Sequence, residues 1–326
     1  MNISVLGLIS IDNLAFAGHK SYVGGGGLAT AWVSSLWQTP TTLFSVSCND
    51  DCNRIINKNL GLNSNFFSHV SLSKSQDVPN FEIERNGEDF IFRINKLLDI
   101  QNCLELFLNQ KYTHQYIKLP ASSFLQRKNW DGDFSVNPQG KFNLQEFNKT
   151  VKTNGFVILN YAELRDCSGL SLLEAMQYIE SIKRSFVITL GRCGAICYYS
   201  KEQKWWYCPS IYSSSFCSAL GCGDAFAGGF LSAYSKKLPI HLCLVYGTFS
   251  AFIATKVPNN MVAHWFYNEP IEEIDILCEN ICIFLSAKSA YNYIINHKMQ
   301  VRTLTDGLSN KTHLFFDWTY NLSTDF

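Results

Sequence analysis

The stretch from Gly155 to Ser200, GFVILNYAELRDCSGLSLLEAMQYIESIKRSFVITLGRCGAICYYS, carries the rhythm that sets the fold. A short apolar run, FVIL, ends in the polar residues of LNYAEL. SLLEAMQYIESIKR then has the spacing of an amphipathic helix. A second apolar run, FVITL, is closed by the two glycines of TLGRCGA. Strand, helix and strand in that order imply parallel strands joined by a crossover helix. QYIKLP and GDFSVNP upstream are strand-like runs of the same kind. The expected fold is therefore α/β, a three-layer α/β/α arrangement around a mostly parallel sheet. In such sheets ligands bind beyond the carboxyl ends of the strands.

Toward the N-terminus the same texture opens the chain. Ile3 to Ile11 alternates as a strand that ends in Asp12, and the glycine cluster Gly24 to Gly27 leads into a helical run over Leu28 to Leu36. TTLFSVSCNDD reads as a strand into a polar turn, and Ile55 to Leu60 as a short helix. FEIERNGEDFIFRI then breaks the pattern by alternating with period two on both sides of Asn86-Gly87. Asn-Gly between such runs is a strong hairpin signal, because both turn positions need positive φ. One domain over residues 1–326 is expected, with a small β flap from about 13–23 and 80–95. Residues 259–326 are expected to be a helical extension, IEEIDILCENICIFLSAKSAYNYIINHK supplying one or two amphipathic helices.

Composition narrows the function classes. Lysine plus arginine equals aspartate plus glutamate, 27 each. That balance argues against nucleic acid or an anionic membrane as an obligatory partner. MNISVLGLISIDNL reads as a strand rather than a secretory leader. The apolar run Leu242 to Thr255 is too short for a bilayer span and reads as a core helix, so a cytoplasmic protein is expected. Twelve cysteines occur without a C-x-x-C pair. Cys48/Cys52, Cys193/Cys197 and Cys278/Cys282 are each four apart, which on a helix puts two thiols on one face. The reading favoured is reduced, buried thiols with no metal site.

Chemistry concentrates in ALGCGDAFAGGF, Ala219 to Phe230. A glycine turn opening into a helix aims unpaired N–H groups and the positive helix end at one point, which suits an anion such as phosphate. Asp224 at the helix start is a poor phosphate ligand but well placed as a base for a hydroxyl attacking phosphorus. Gly228 and Gly229 are expected to let the helix lie close against the sheet. Asn160 and Glu163 follow one apolar strand, where they either cap a helix or organise water around Mg²⁺. Asp12 is either a turn residue or a grip for sugar hydroxyls.

These motifs together resemble the ribokinase-like (PfkB) family of sugar and nucleoside kinases, over roughly residues 3 to 257. The matching order is Gly7 to Asp12, Gly24-Gly25 before a helix, the hairpin, Asn160 to Glu163, Thr189 to Gly194, and Gly221 to Phe230. The resemblance implies a small β lid, ATP with Mg²⁺, and transfer of the γ-phosphoryl group to an alcohol of a sugar or a nucleoside. It implies Asp224 as the catalytic base and Gly221, Cys222 and Gly223 as the anion hole. Asp12, Gly24 and Gly25 would bind substrate. Asn160, Glu163, Thr189, Gly191 and Gly194 would serve the cofactor, Glu163 reaching the metal through water. Homodimerisation through the lid is a further implication.

Several positions depart from the family pattern. Ala29 stands where a substrate-binding asparagine is usual, Ser218-Ala219-Leu220 replaces Asp-Thr-Thr, Cys222 replaces an alanine, and Ser135 replaces an aspartate. A divergent substrate, a slow enzyme and a non-catalytic relative all fit that pattern. Phe16, Tyr22 and Trp32 are read as lid and core packing ahead of base stacking. Gly24 to Ala29 also fits the dinucleotide pattern G-x-G-x-x-A. A dinucleotide oxidoreductase is disfavoured, since the glycines come too late after the first strand and Asp50 and Asp51 later than the pattern requires.

Overall fold

In the computed structural model of the chain, alternate residues of each central strand go to opposite faces, and two separate cores result. Ile3 and Val5 of the first strand enter one core and Leu6 the other; Ile158 and Val187 part in the same way from Val157, Leu159, Phe186 and Ile188. Strands buried on both faces need the continuous apolar runs seen in the sequence. The structure describes residues 2–18, 20–45, 49–60, 65–72, 78–86, 89–94, 103, 107–108, 114–125, 130–212, 216–256, 272–296 and 302–303.

Eighteen strands follow one another among these residues. They are β1 (Ile3–Gly7), β2 (Ser10–Leu14), β3 (Lys20–Gly24), β4 (Thr41–Ser45), β5 (Phe67–Ser71), β6 (Asn80–Asn86), β7 (Asp89–Ile94), β8 (His114–Pro120) and β9 (Trp130–Gly132). Then come β10 (Phe134–Gln139), β11 (Val151–Thr153), β12 (Val157–Asn160), β13 (Phe186–Thr189), β14 (Ala195–Tyr199), β15 (Lys204–Cys208), β16 (Ile211–Tyr212), β17 (Cys282–Phe284) and β18 (Arg302–Thr303). Ten of them form the central sheet in the order β17-β15-β14-β13-β12-β10-β8-β1-β4-β5. Every pairing from β13 to β5 is parallel, and the three pairings at the other edge are antiparallel. The α/β/α class read from the sequence is thus the architecture found.

A second, four-stranded sheet, β3-β2-β6-β7, stands apart from the first. It holds the hairpin read at Asn86, although Gly87 itself lies outside the described residues. This sheet shows where the first strand was misread. The alternation from Ile3 to Ile11 is not one strand: β1 ends at Gly7, and Asp12 sits in the middle of β2, opposite Tyr22 of β3 and Phe81 of β6. The buried run continues across the break because β1 is buried on both faces and β2 at four of its five residues, so the apolar pattern alone cannot locate it.

Three helices pack against one another on one face: Gly26–Leu36, Cys222–Ser235 and Ile240–Ala254, and the Asp50–Leu60 and Glu272–Glu279 helices add to the same core. Gly228 and Gly229 serve this layer rather than the sheet. A Cβ at Gly228 would meet the Thr30 carbonyl, and one at Gly229 the Tyr246 carbonyl and Ser250 hydroxyl. The close approach is between helices, and it costs the helix two weak positions. Leu242 to Thr255 does lie largely in a buried helix, and among the described residues no helix is long and apolar enough to cross a membrane. The helices Leu144–Thr150, Tyr161–Ser168, Leu172–Ile182 and Ala287–Asn296 contribute to the other core.

Other boundaries also moved. The helix expected from Ile55 begins at Asp50. The C-terminal segment expected to be purely helical contains β17 between the helices Glu272–Glu279 and Ala287–Asn296, and β17 extends the central sheet beside β15. Most of the chain beyond 296 lies outside the described residues. Cys193/Cys197 and Cys278/Cys282 share no helix: Cys197 is on β14 and Cys282 on β17. Cys48 is outside the described residues. Burial pushes the thiols of Cys52, Cys167 and Cys208 up to about 12.

Candidate active site

The carboxyl ends of β1, β8 and β10 set Gly7, Lys118 and Asn137 side by side, in register across three parallel strands. Thr189 pairs with Asn160 in the same way at the ends of β13 and β12. Into this row comes the start of the Cys222–Ser235 helix. Lys118 Nζ donates to Asp224 Oδ1 in an ion pair whose side chains are only 11% and 13% exposed. A Cβ at Gly26 would collide with the end of the Lys118 side chain. The lysine therefore lies between the N-terminal glycine cluster and Asp224, joining two segments nearly two hundred residues apart in sequence. Thr30 Oγ1 adds a hydrogen bond to the Asp224 carbonyl (3.3 Å), and Ser34 Oγ one to the Gly228 carbonyl (3.0 Å).

Burial pulls the Lys118 ammonium down to about 8, while the Glu163 charge opposes that fall. Glu163 is itself raised by burial, against the lowering effects of the Asn160 N–H, the Lys118 charge and the Asn137 side chain. Lys118 was missed in the sequence because QYIKLP has the texture of any buried strand. The signal that could have found it is a lysine two residues from the end of an apolar parallel strand, where ligands collect.

Asn160 and Glu163 form a capping box on the Tyr161–Ser168 helix. Asn160 Oδ1 accepts from the Glu163 N–H (2.8 Å), and Glu163 Oε2 accepts from the Asn160 N–H (2.9 Å). Two helix-end donors are thereby satisfied, and the Glu163 carboxylate is held toward Lys118. The capping alternative is present, together with a second electrostatic contact that a plain cap does not need.

Gly221 is left-handed (φ 72°) and forms the N-cap of the Asp224 helix without a side-chain cap. The Gly223 N–H finds no acceptor among the described residues, and a Cβ there would meet open space. An unpaired donor at a helix start suits an anion. The Cys222 thiol is pushed up to about 12 by burial and points back to the Ser218 carbonyl (3.8 Å), so it is no nucleophile. Ser218 turns its hydroxyl onto the Leu220 N–H (3.0 Å). Leu220 is buried with Leu14 and Ile83 of the small sheet, and Phe16, Tyr22 and Phe81 pack around them. That cluster explains Phe16 and Tyr22 as packing; Trp32 lies in the core edge-on to Phe67.

Asp12 is buried and rests against Gly24, where a Cβ would collide with its carboxylate. Burial pushes it up to about 6, with hydrogen bonds from Ser10 Oγ (2.6 Å) and the Gly25 N–H pulling the other way. Gly191 opens to free space beside Thr189, while Gly194 abuts the Cys208 carbonyl, so its bare backbone serves the approach of β14 to the next strand. Ala29 is buried inside its helix. Ser135 is interior too, taking the Phe156 N–H (2.9 Å) and bonding His114. Neither can serve as a polar substrate contact.

A model of the family described as pfkB family carbohydrate kinase matches residues 131–262, which span β10, Asn160, Glu163 and the Asp224 helix. Over that stretch the chain is similar to the PfkB carbohydrate kinases. A nucleoside kinase of Methanocaldococcus jannaschii is 29% identical over 101 residues, 31% of this chain and 32% of the relative, so that match spans about a third of the relative's length. The crystal structure of M. jannaschii nucleoside kinase, a ribokinase-family protein, superposes with a TM-score of 0.59 at 17% identity, over 85% of this chain and 98% of that one. Vibrio cholerae fructokinase with fructose, ADP and calcium bound gives 0.61 at 16% identity, over 85% and 98%. At that identity these likenesses show the ribokinase fold. The dinucleotide pattern does not fit, because β2 and β3 stand between the first strand and Gly24-Gly25.

Proposed function

We propose that this chain is an ATP-dependent kinase that transfers the γ-phosphoryl group to a hydroxyl of a small sugar or sugar-like molecule. The observation that carries the reading is the convergence of Asp224, Lys118 and the Gly24–Gly26 loop at the carboxyl edge of the parallel sheet. The free Gly223 N–H, the open space over Gly223 and Gly191, and the Glu163 carboxylate fit a nucleotide with Mg²⁺. ATP would lie along Thr189 and Gly191, and Asn160 with Glu163 would order the water shell of the metal. ATP, when bound, supplies the phosphoryl group, and Mg²⁺ offsets its charge.

In this reading Asp12 accepts hydrogen bonds from the acceptor, held in place by Ser10 and Gly25. Asp224 takes the acceptor's proton through Oδ2, since Lys118 already occupies Oδ1. Lys118 fixes the carboxylate's orientation and balances its charge beside Glu163. Gly221 and Gly223 present N–H groups to developing negative charge, whereas the Cys222 N–H already donates to the Ala219 carbonyl (3.2 Å). The Leu220 cluster ties the loop to the small sheet, which acts as a lid that keeps water out. A nucleoside acceptor is the second reading, favoured by the similarity to the M. jannaschii nucleoside kinase.

ADP release against sugars and nucleosides, with the wild type and Asp224→Asn, tests the proposal. The variant is expected to lose roughly 10²- to 10⁴-fold in kcat while acceptor binding persists. Equal turnover by both proteins removes Asp224 from the chemistry. Acceptor binding without turnover by either protein identifies a non-catalytic relative.

A further inference from the structure

A second concave site lies far from Asp224, at the amino ends of the strands. A cavity of about 640 Å³ opens between the Leu144–Thr150 and Leu172–Ile182 helices and the Val151–Thr153 strand. Lys149, Lys152, Lys183 and Arg184 line it, and no carboxylate does. Arg184 lies two residues before β13, whose other end is Thr189. Five residue steps along the chain separate the two, or about 17 Å at the usual rise per residue.

Arg184 is the unusual member. Its guanidinium lies over the Phe147 ring (5.7 Å), and its Nη1 donates to Asn148 Oδ1 (2.6 Å). Among the described residues, Nε and Nη2 are buried without a partner. These two nitrogens form one edge of the guanidinium, the fork that matches two oxygens of a phosphate or carboxylate. A buried donor pair left unmade is costly, and burial pulls this arginine down to about 10. The three lysines around it are exposed, so the groove has a buried fork at its wall and mobile charges at its rim. Nothing in the proposed phosphoryl transfer uses any of these residues.

We propose that this groove binds a small phosphate-bearing anion, with the Arg184 fork on two phosphate oxygens and Lys149, Lys152 and Lys183 closing over its charge. Because Nε and Nη2 are buried, binding requires the guanidinium to turn about its Asn148 bond to meet the ligand. Phosphate suits the site better than a single carboxylate because four cations face it. The volume exceeds that of inorganic phosphate and accepts an organic phosphate as well.

Isothermal titration calorimetry on the full chain tests this with inorganic phosphate, pyrophosphate and ribose 5-phosphate, against sodium chloride at equal ionic strength. Saturable binding of at least one probe is expected, and the probe preferred separates a free phosphate site from one for organic phosphates. Lys152→Gln combined with Lys149→Gln is expected to weaken that binding roughly tenfold, and Arg184→Gln to abolish it. The two lysines are exposed, so their variant stays informative even where Arg184→Gln fails to fold. Asp224→Asn is expected to leave this binding unchanged, which keeps the result independent of the kinase reading. No saturable binding at millimolar probe, or binding insensitive to the lysine pair but lost in Asp224→Asn, overturns the proposal.

Discussion

Lys118 and Asp224 share one buried contact, and each needs the other. Removing one charge from a buried pair leaves its partner uncompensated, which commonly costs about 3–5 kcal/mol. Lys118→Met is therefore expected to lower stability by about that much, and Lys118→Met combined with Asp224→Asn to recover a large part of the loss. Urea midpoints of the wild type, the single variants and the double variant give the coupling; simple additivity would show that the pair carries no interaction energy. Asp12 makes a prediction in pH. Burial holds its carboxyl near 6, above the usual carboxylate range, so the folded state binds this proton more tightly than the unfolded chain. Its contribution to stability is then complete below about pH 4 and is lost as pH rises through about 6. Acceptor binding has the opposite sign, because only the carboxylate accepts two hydroxyl hydrogens. KM for the acceptor is expected to fall as pH rises through about 6, and Asp12→Asn to raise KM and flatten the profile. A profile unchanged by Asp12→Asn assigns the inflection to another group.

At the scale of elements, the Cys222–Ser235 helix is placed by its neighbours on the same face. Gly228 and Gly229 bring it against the Gly26–Leu36 and Ile240–Ala254 helices, and Thr30 and Ser34 tie its carbonyls to the first of these. Gly229→Ala puts a methyl group onto the Tyr246 carbonyl and is expected to cost about 1–3 kcal/mol by overpacking. Since the same shift moves Asp224, kcat is expected to fall at temperatures where the variant is still folded; a drop in Tm with unchanged kcat would separate stability from positioning. The β-strands show why pattern reading erred at Asp12. β1 and β2 are both almost wholly buried, and only their assignment to different sheets shows that the chain turns between them. Glu163 shows the reverse case, in which a sequence motif compatible with either a cap or a cofactor contact turns out to make the cap and also to face a buried lysine.

At the scale of the whole molecule, the small sheet and the turn before Gly221 meet through Leu220, and under the proposed function closure of the site depends on that contact. Leu220→Ala removes much of it, and acceptor-free ADP release is expected to rise relative to acceptor-dependent turnover; an unchanged ratio would mean that the small sheet does not guard the site. The layered α/β fold, the glycine turns and the acid at the head of the helix were legible in the sequence, because apolar periodicity and glycine placement are local consequences of burial and backbone geometry. Which side chains meet was not legible. Lys118 lies 106 residues from Asp224, in a strand whose pattern is that of ordinary core. Arg184 looks like any charged residue at the end of a helix until the fold buries its guanidinium. The sequence by itself determined the strands, helices and turns, since those depend on neighbours along the chain. Only the tertiary structure decided the ion pair, the seat of Asp12 and the basic groove, because charge and burial there are set by residues that folding brings together from distant parts of the chain.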